Sequence, residues 1–179
     1  MAVPVLRTER LLLRGWTEDD RAPFADLNAD AEVMKHFPSP LTRAESDAFV
    51  DRIERHFAEH GYGLWAVEVG GKLVGYTGLS IPLFRADWME VREQPVVEIG
   101  WRLARSAWGN VYATEAARAC VRFAFDELCR SEIVSFTVVG NARSRAVMER
   151  LGMWEVAEYD HPLSEGVSLP SVCYLLTAS

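Results

Sequence analysis

A strand pattern that runs directly into a long helical pattern is the feature that most constrains how this chain can fold. Residues 96–103 form a strand-like apolar run, and from about Asn110 to Leu128 small and apolar residues recur at helical spacing. Because only a short loop separates them, the helix begins close to the end of the strand. Its free backbone N–H groups and positive dipole end gather there. The junction is a candidate anion site, although an ordinary strand-to-helix turn would produce the same pattern.

The remaining elements place strands together first and alternate them with helices later. The predicted strands are residues 11–14, 64–69, 72–79, 96–103, 133–139, 154–159 and 172–177, and the predicted helices are residues 20–28, 31–36, 42–61, 110–128 and 144–151. This order predicts an α+β, or mixed α/β, sheet and excludes a doubly wound fold. No repeat or linker divides the chain, so residues 1–179 are predicted to form a single domain.

The amino-acid composition argues against several classes of function. The chain has 179 residues, of which 49% are apolar, and its formal charge of −7 makes it a poor candidate for nucleic-acid binding. The N-terminus lacks a signal-peptide apolar run, and no stretch approaches the roughly 20 apolar residues that span a bilayer, so we expect a cytoplasmic protein without membrane contact. The three cysteines form no CxxC pair, so no metal site is predicted, and all three are expected to be buried thiols.

A second strand-to-helix junction lies at residues 139–153. Asn141 follows the strand and could simply cap the short basic helix that begins there. Ser144 falls on the first turn of that helix and could donate a hydrogen bond to a group held between the two strand ends.

Together these segments resemble the GNAT N-acetyltransferase superfamily, and more closely its ribosomal-protein N-acetyltransferase-like branch. The phrases TERLLLR, VEIGWRL, WGNVYATEAAR and NARSRAVMERLGM occur in the family's order and spacing. The resemblance implies a central, mostly antiparallel twisted sheet with splayed middle strands, flanked by about four helices. It also implies acetyl-CoA as acetyl donor, with its pantetheine arm between the splayed strands and its pyrophosphate at the N-terminus of the long helix.

The family's cofactor residues carry over onto this chain position by position. The resemblance assigns the phosphate loop to residues 108–113, beginning at Trp108, with N–H donors from Gly109, Asn110, Val111 and Ala113. It places Ile99, Trp101 and Leu103 along the pantetheine, Asn141 beside the cofactor arm and Ser144 near the thioester sulfur. Val111 departs from the pattern, because the family usually has glycine there. A β-branched residue is expected to avoid positive φ and to narrow the phosphate path.

Two residues are the catalytic candidates. Acetyl transfer requires the amine to lose its proton, and Glu98, a carboxylate in a central strand, is the best candidate for the base. The structural alternative is a carboxylate that pairs with a basic side chain such as Arg102. Ser144 is the candidate acid for the departing thiolate, with an ordinary helix-surface serine as the alternative.

The sequence therefore predicts an N-acetyltransferase in which a primary amine attacks acetyl-CoA directly in a ternary complex. The amine belongs to a protein or peptide N-terminus or to a small molecule. The acceptor pocket is expected to lie among three loops, residues 37–41, 82–94 and 159–170. A non-catalytic acyl-CoA-binding or regulatory module is the alternative, and Val111 is its best support. Exposed-type aromatics such as Trp88 leave a homodimer open.

Overall fold

The computed structural model describes residues 2–82, 84, 95–164 and 167–178. Its strands are β1 (Leu6–Arg7), β2 (Leu12–Arg14), β3 (Leu64–Val69), β4 (Lys72–Ser80), β5 (Glu98–Leu103), β6 (Glu132–Val138), β7 (Trp154–Ser164) and β8 (Val167–Thr177). The α-helices in these residues are α1 (Arg21–Ala29), α2 (Arg43–His60), α3 (Tyr112–Arg122) and α4 (Ala142–Arg150). A π-helical turn at Phe123–Glu127 extends α3.

The eight strands form one sheet in the order β1-β2-β3-β4-β5-β6-β8-β7. Neighbouring strands run antiparallel except for β5 and β6, which are parallel and are joined through α3. The predicted mixed, mostly antiparallel sheet flanked by helices is therefore confirmed, and its only parallel pair among the described residues lies at its centre.

Local signals predicted several boundaries correctly. Thr42 and Glu45 form the expected capping box at the start of α2, and Gly61 ends that helix with φ 76°. Gly70 and Gly71 both have positive φ, which the tight turn between β3 and β4 requires.

The predicted helix at residues 31–36 is wrong, because this segment forms turns. The Asp30 carboxylate accepts hydrogen bonds from the backbone N–H groups of Glu32 and Val33 at 2.8 and 3.4 Å. A side chain that binds its own following backbone in this way diverts the chain from a helix into a turn.

The expected loop at residues 159–170 is also wrong, because β7 and β8 continue through most of it as a hairpin. Pairing between β7 and β8 holds this segment extended, and Pro162 lies in an edge strand, where proline is tolerated. Residues 165 and 166 lie outside the described residues, as do residues 83 and 85–94 of the other expected acceptor loop.

Two groups of buried side chains hold the layers together. The larger group packs the sheet against α3, with Trp65, Ile99 and Ile133 fully buried against Ala116 and Cys120. The smaller group lies under α1 and α2 and consists of Phe24, Leu27, Val50 and Tyr76. Cys120 and Cys173 are buried as expected, whereas Cys129 is exposed in the turn after α3. None of the described helices is long and apolar enough to cross a membrane.

Candidate active site

The centre of the sheet opens into a wedge between β5 and β6. The two strands pair at Glu98 and Val134, and the Val134 N–H donates to the Val97 carbonyl at 3.0 Å. One step further on, the Ser135 hydroxyl donates to the Ile99 carbonyl at 2.8 Å. Beyond this point β5 stays paired with β4 and β6 stays paired with β8, so the two strands diverge.

The backbone of β5 faces this wedge at every second residue. Val97 and Ile99 accept hydrogen bonds there, and the Leu103 carbonyl accepts one from the Trp108 indole at 2.9 Å. By the alternation of an antiparallel ladder, Trp101 directs its N–H and C=O to the same side. The edge of β5 at Trp101 can therefore bind an extended, amide-containing chain as another strand would.

The loop before α3 brings two left-handed residues to the helix N-terminus. Gly109 has φ 80° and Val111 has φ 64°, and the first intrahelical hydrogen bond runs from Glu115 N to the Val111 carbonyl. The earlier N–H groups of the first turn are therefore available to an anion. Asn110 fixes the loop, because its amide donates to the carbonyls of Ala107 and Trp108 at 3.3 and 3.1 Å.

The expectation that Val111 avoids positive φ is wrong. Val111 adopts the conformation that glycine usually supplies, and its side chain is 53% exposed and points away from the core. The Val111 backbone is therefore strained, because the left-handed region brings the valine Cβ close to the following carbonyl.

Replacing Val111 with glycine should therefore raise the free energy of unfolding by about 1 kcal/mol, which is the relieved strain less the entropy cost of glycine. Urea denaturation of the two proteins measures this difference. The matched control is Ala113→Gly, which introduces glycine at a residue with helical φ and should destabilise the protein instead. Equal destabilisation by both substitutions would contradict the strain at Val111.

An open cleft of about 700 Å³ adjoins this loop. Arg105, Trp108 and Arg143 line it, and the Arg143 guanidinium carbon lies 4.2 Å from the Trp108 ring centre. Across the cleft, Asp30 pairs with Arg105 at 3.6 Å and Glu32 pairs with Arg143 at 3.4 Å. The two arginines bring guanidinium N–H donors beside the N-terminus of α3, although Asp30 and Glu32 balance their charge.

Glu98 lies where β5 and β6 begin to diverge. Its side chain is partly buried, and burial raises the pKa of Glu98 to about 7. The alternative that Glu98 pairs with Arg102 is wrong, because Arg102 donates to Asn28 and the described residues contain no Glu98–Arg102 ion pair. Glu98 therefore sits at the narrow end of the wedge as a carboxyl group that can take up and release a proton near neutral pH.

Sequence reasoning missed two tyrosines near Glu98. Burial raises the pKa of Tyr76 on β4, and the Glu98 charge adds to this shift while Arg102 opposes it. Burial also raises the pKa of Tyr159 on β7, with further contributions from Cys173 and Glu98. Both hydroxyls therefore stay protonated at neutral pH. The tyrosines come from strands far apart in sequence, and no local pattern links them to Glu98.

Tyr159 belongs to an aromatic cluster on the β7 side of the wedge. Its ring stacks on Phe84 with centres 5.9 Å apart and lies edge-on to Phe136 at 5.9 Å. The Tyr159 hydroxyl lies 3.3 Å from His161 Nδ1, and burial lowers the pKa of His161. This cluster gives the end of the site next to Glu98 an apolar wall.

The second strand-to-helix junction lies at the far end of β6. The Asn141 side chain caps α4 by accepting from the Ser144 N–H at 3.2 Å, and its amide donates to the Thr137 hydroxyl at 2.9 Å. Its capping role is therefore present. Ser144 lies partly exposed in the first turn of α4.

Comparisons with known proteins agree with this geometry. The acetyltransferase (GNAT) domain family matches residues 10–154. The FsC-acetyl coenzyme A-N(2)-transacetylase of Aspergillus fumigatus is 32% identical over 183 residues, which cover 98% of this chain and 77% of that protein.

Two solved structures extend the agreement to the fold. An acetyltransferase from Agrobacterium tumefaciens is 27% identical, with a TM-score of 0.80 over 99% of this chain and 96% of that one. A Vibrio cholerae protein assigned as a ribosomal-protein-serine acetyltransferase shares the fold at 18% identity, with a TM-score of 0.79 over 99% of this chain and 100% of that one.

The residues of the wedge fit acetyl-CoA. The unpaired edge of β5 at Trp101 suits an amide-containing arm, and the left-handed loop before α3, with Arg105 and Arg143 nearby, suits phosphates. With the family match over most of its length and the shared fold, the chain belongs to the GNAT family and is an acetyl-CoA-dependent N-acetyltransferase.

Proposed function

We propose that this enzyme transfers the acetyl group directly to a primary amine, with Glu98 as the base. The observation that carries the proposal is the partly buried Glu98 carboxyl group at the narrow end of the wedge, with its pKa raised to about 7 by burial. An ammonium group has no lone pair, so the acceptor must lose a proton before it attacks. A base with a pKa near the working pH performs this step best.

Backbone N–H and C=O groups that have no partner among the described residues would bind the cofactor. The N–H donors of Gly109, Asn110, Val111 and Ala113 would hold the pyrophosphate, and Trp108 would close the loop against β5. The β5 residues Ile99, Trp101 and Leu103 would align the pantetheine arm, with Trp101 supplying the free backbone pair. Asn141 would lie beside the arm. When bound, acetyl-CoA supplies an activated thioester.

Ser144 is proposed to donate a proton to the departing thiolate. A thiolate is already a fair leaving group, because the pKa of an ordinary thiol is about 8.5. Ser144 therefore contributes less to the rate than Glu98.

Two classes of acceptor remain in the proposal, a protein or peptide N-terminal amine and a small-molecule amine. The name of the Aspergillus relative specifies transfer to a nitrogen, and that of the Vibrio neighbour specifies a ribosomal protein. The test is acetyl-CoA-dependent thiol release with a panel of amines from both classes, together with the mass of each acetylated product. Thiol release without an acetylated amine would reject amine acetylation.

A homodimer and a cytoplasmic location complete the proposal. Sedimentation velocity tests the homodimer.

Acetyl-CoA should stabilise the folded protein, because the wedge and the α3 loop exist only when the sheet is formed. A ligand present at about 100 times its dissociation constant adds about 2.7 kcal/mol to the free energy of unfolding. A thermal denaturation series with increasing acetyl-CoA measures the effect. Free acetate, which lacks the pantetheine and phosphate groups, should not reproduce it. The absence of any shift at millimolar acetyl-CoA would contradict the binding proposal.

A further inference from the structure

Arg102 is a buried cation without an anionic partner on the same strand as the proposed base. By strand alternation Glu98, Gly100 and Arg102 share one face of β5, and Arg102 points under α1 and α2. Only 8% of Arg102 is exposed. Among the described residues no carboxylate lies within 4 Å of its guanidinium, in contrast to Arg14, which pairs with Asp20 and Glu68.

The hydrogen-bonding capacity of Arg102 is largely unused. A guanidinium carries five N–H donors, and one of those of Arg102 donates to Asn28 Oδ1 at 2.6 Å. The Nε–H is buried and has no partner. Burying a charge is unfavourable unless an opposite charge or a full set of acceptors compensates it.

Aromatic rings hold the guanidinium by its faces and leave its edge available. Its central carbon lies 4.1 Å from the ring centre of Phe37, 5.5 Å from that of Tyr76 and 5.6 Å from that of Phe49. Such contacts attract a cation but accept no N–H hydrogen bonds in the plane of the guanidinium. Phe37 is 40% exposed, so Arg102 lies directly beneath the surface of the segment between α1 and α2.

The strand face between Arg102 and Glu98 carries no side chain, because Gly100 lies between them. A Cβ atom added at Gly100 would meet no atom of the described residues within 4 Å. Four strand residues span about 13 Å between Cα atoms, and side chains that stand roughly perpendicular to the sheet keep about that separation. Allowing a contact of about 3 Å at each end, a ligand that reaches both side chains needs about 7 Å between its two polar groups.

We propose that Arg102 binds a carboxylate of the acceptor, so that the preferred acceptor is a primary amine whose carboxylate lies about 7 Å from the amine nitrogen. This inference rests on the proposed function, because it assumes that the amine is directed at Glu98. The carboxylate supplies the charge that Arg102 lacks and accepts its unused N–H groups. Arg102 thereby acts as a specificity residue and takes no part in the chemistry.

The test compares two acceptors that differ only in this charge, 6-aminohexanoate and 6-aminohexanamide. With the wild-type enzyme, kcat/KM should be about 10- to 100-fold higher for the acid, which is the range for losing a charge-assisted hydrogen bond. Arg102→Gln should remove this preference by raising KM for the acid, and should leave the dissociation constant of acetyl-CoA unchanged. A wild-type enzyme that uses both compounds equally would overturn the proposal.

Asn28→Ala is the matched control for a structural role of Arg102. It removes the one protein hydrogen bond to the guanidinium but retains the charge, so the preference for the acid should persist. If Asn28→Ala and Arg102→Gln lower activity equally with acid and amide, Arg102 is structural and the proposal fails.

A second readout needs no turnover and separates this inference from the proposed function. The Arg102 Nε–H resonance, assigned by its loss in Arg102→Gln, should shift on titration with 6-aminohexanoate in the presence of CoA and should not shift with 6-aminohexanamide. A shift without turnover of any amine would support the carboxylate site and reject the proposed acetyl transfer. The same response to both compounds, or no response to either, would overturn the carboxylate site.

Discussion

Replacing Glu98 with glutamine should lower turnover by about 10²–10⁴-fold while leaving acetyl-CoA binding nearly unchanged. The amide keeps the shape of the side chain at the narrow end of the wedge but cannot accept the amine's proton. Steady-state thiol release measures the loss, and a titration of acetyl-CoA into the variant measures binding. Glu158→Gln, which alters an exposed carboxylate on β7, is the matched control and should retain normal turnover.

The pH dependence of turnover tests the role of Glu98 in a second way. Because the pKa of Glu98 is raised to about 7, the wild-type rate should rise through about pH 7 as the carboxyl group loses its proton, and glutamine should abolish that limb. Because burial raises the pKa of Glu98, its charged carboxylate destabilises the folded protein at any pH above the pKa that this group has in the unfolded chain. Glutamine carries no such charge, so Glu98→Gln should be at least as stable as the wild type at pH 8. Ser144→Ala should slow turnover less than Glu98→Gln does. Near-normal turnover of Glu98→Gln at every pH would show that Glu98 is structural.

Replacing Asp20 with alanine should lower the free energy of unfolding by about 3 kcal/mol, because it leaves Arg14 largely buried without its closest partner. Arg14 donates to both Asp20 oxygens at 2.6 and 2.9 Å and also binds Glu68, which ties the start of α1 to β2 and β3. Urea denaturation measures the loss. Asp19→Ala, an exposed neighbour, is the control and should change stability little.

The Asp20 contribution should also depend on pH. Burial by itself would raise the pKa of Asp20, but hydrogen bonds from Arg14 and Thr17 outweigh it and hold the pKa below its usual value. A lowered carboxyl pKa stabilises the fold above the unfolded pKa of about 3.9, and this stabilisation is lost as the pH falls. The wild type and Asp20→Ala should therefore converge in stability in acid. A constant difference from pH 7 to pH 2 would contradict the assigned ion pair.

Asp20→Ala also has a functional consequence if Arg102 recognises the acceptor. α1 carries Asn28, the hydrogen-bond partner of Arg102. Loosening the start of α1 should therefore raise KM for the acceptor more than it weakens the binding of acetyl-CoA, whose proposed site lies in the wedge between β5 and β6.

The sequence predicted the parts of this molecule that depend on local chemistry. The capping box at Thr42 and Glu45, the Gly70-Gly71 turn and the strand-loop-helix junction before α3 each follow from residues adjacent in the chain. Glu98 could be singled out because a carboxylate in a central strand is costly without a role. The resemblance to the GNAT family supplied the splay of β5 and β6, which no residue pattern in either strand reveals.

The sequence could not predict features that depend on distant residues. A pair between Arg102 and Glu98, its neighbour on the strand face, was the structural alternative to a catalytic Glu98, but in the fold Asn28 and Phe37 reach Arg102 from other elements. Val111 violates a local preference, because the conformation of its loop is set by the loop's hydrogen bonds and by α3. The strands through residues 159–164 depend on pairing between β7 and β8, which no local pattern in this segment reveals.

The most direct test of direct acetyl transfer is a single turnover followed by intact-protein mass measurement. The enzyme is first mixed with one equivalent of acetyl-CoA, sampled, and then given an amine acceptor from the panel. Direct transfer predicts an unmodified protein mass at every time, with thiol and acetylated amine appearing together after the amine is added. Thiol release before the amine is added, with the protein heavier by one acetyl group that then passes to the amine, would contradict direct transfer in the wedge.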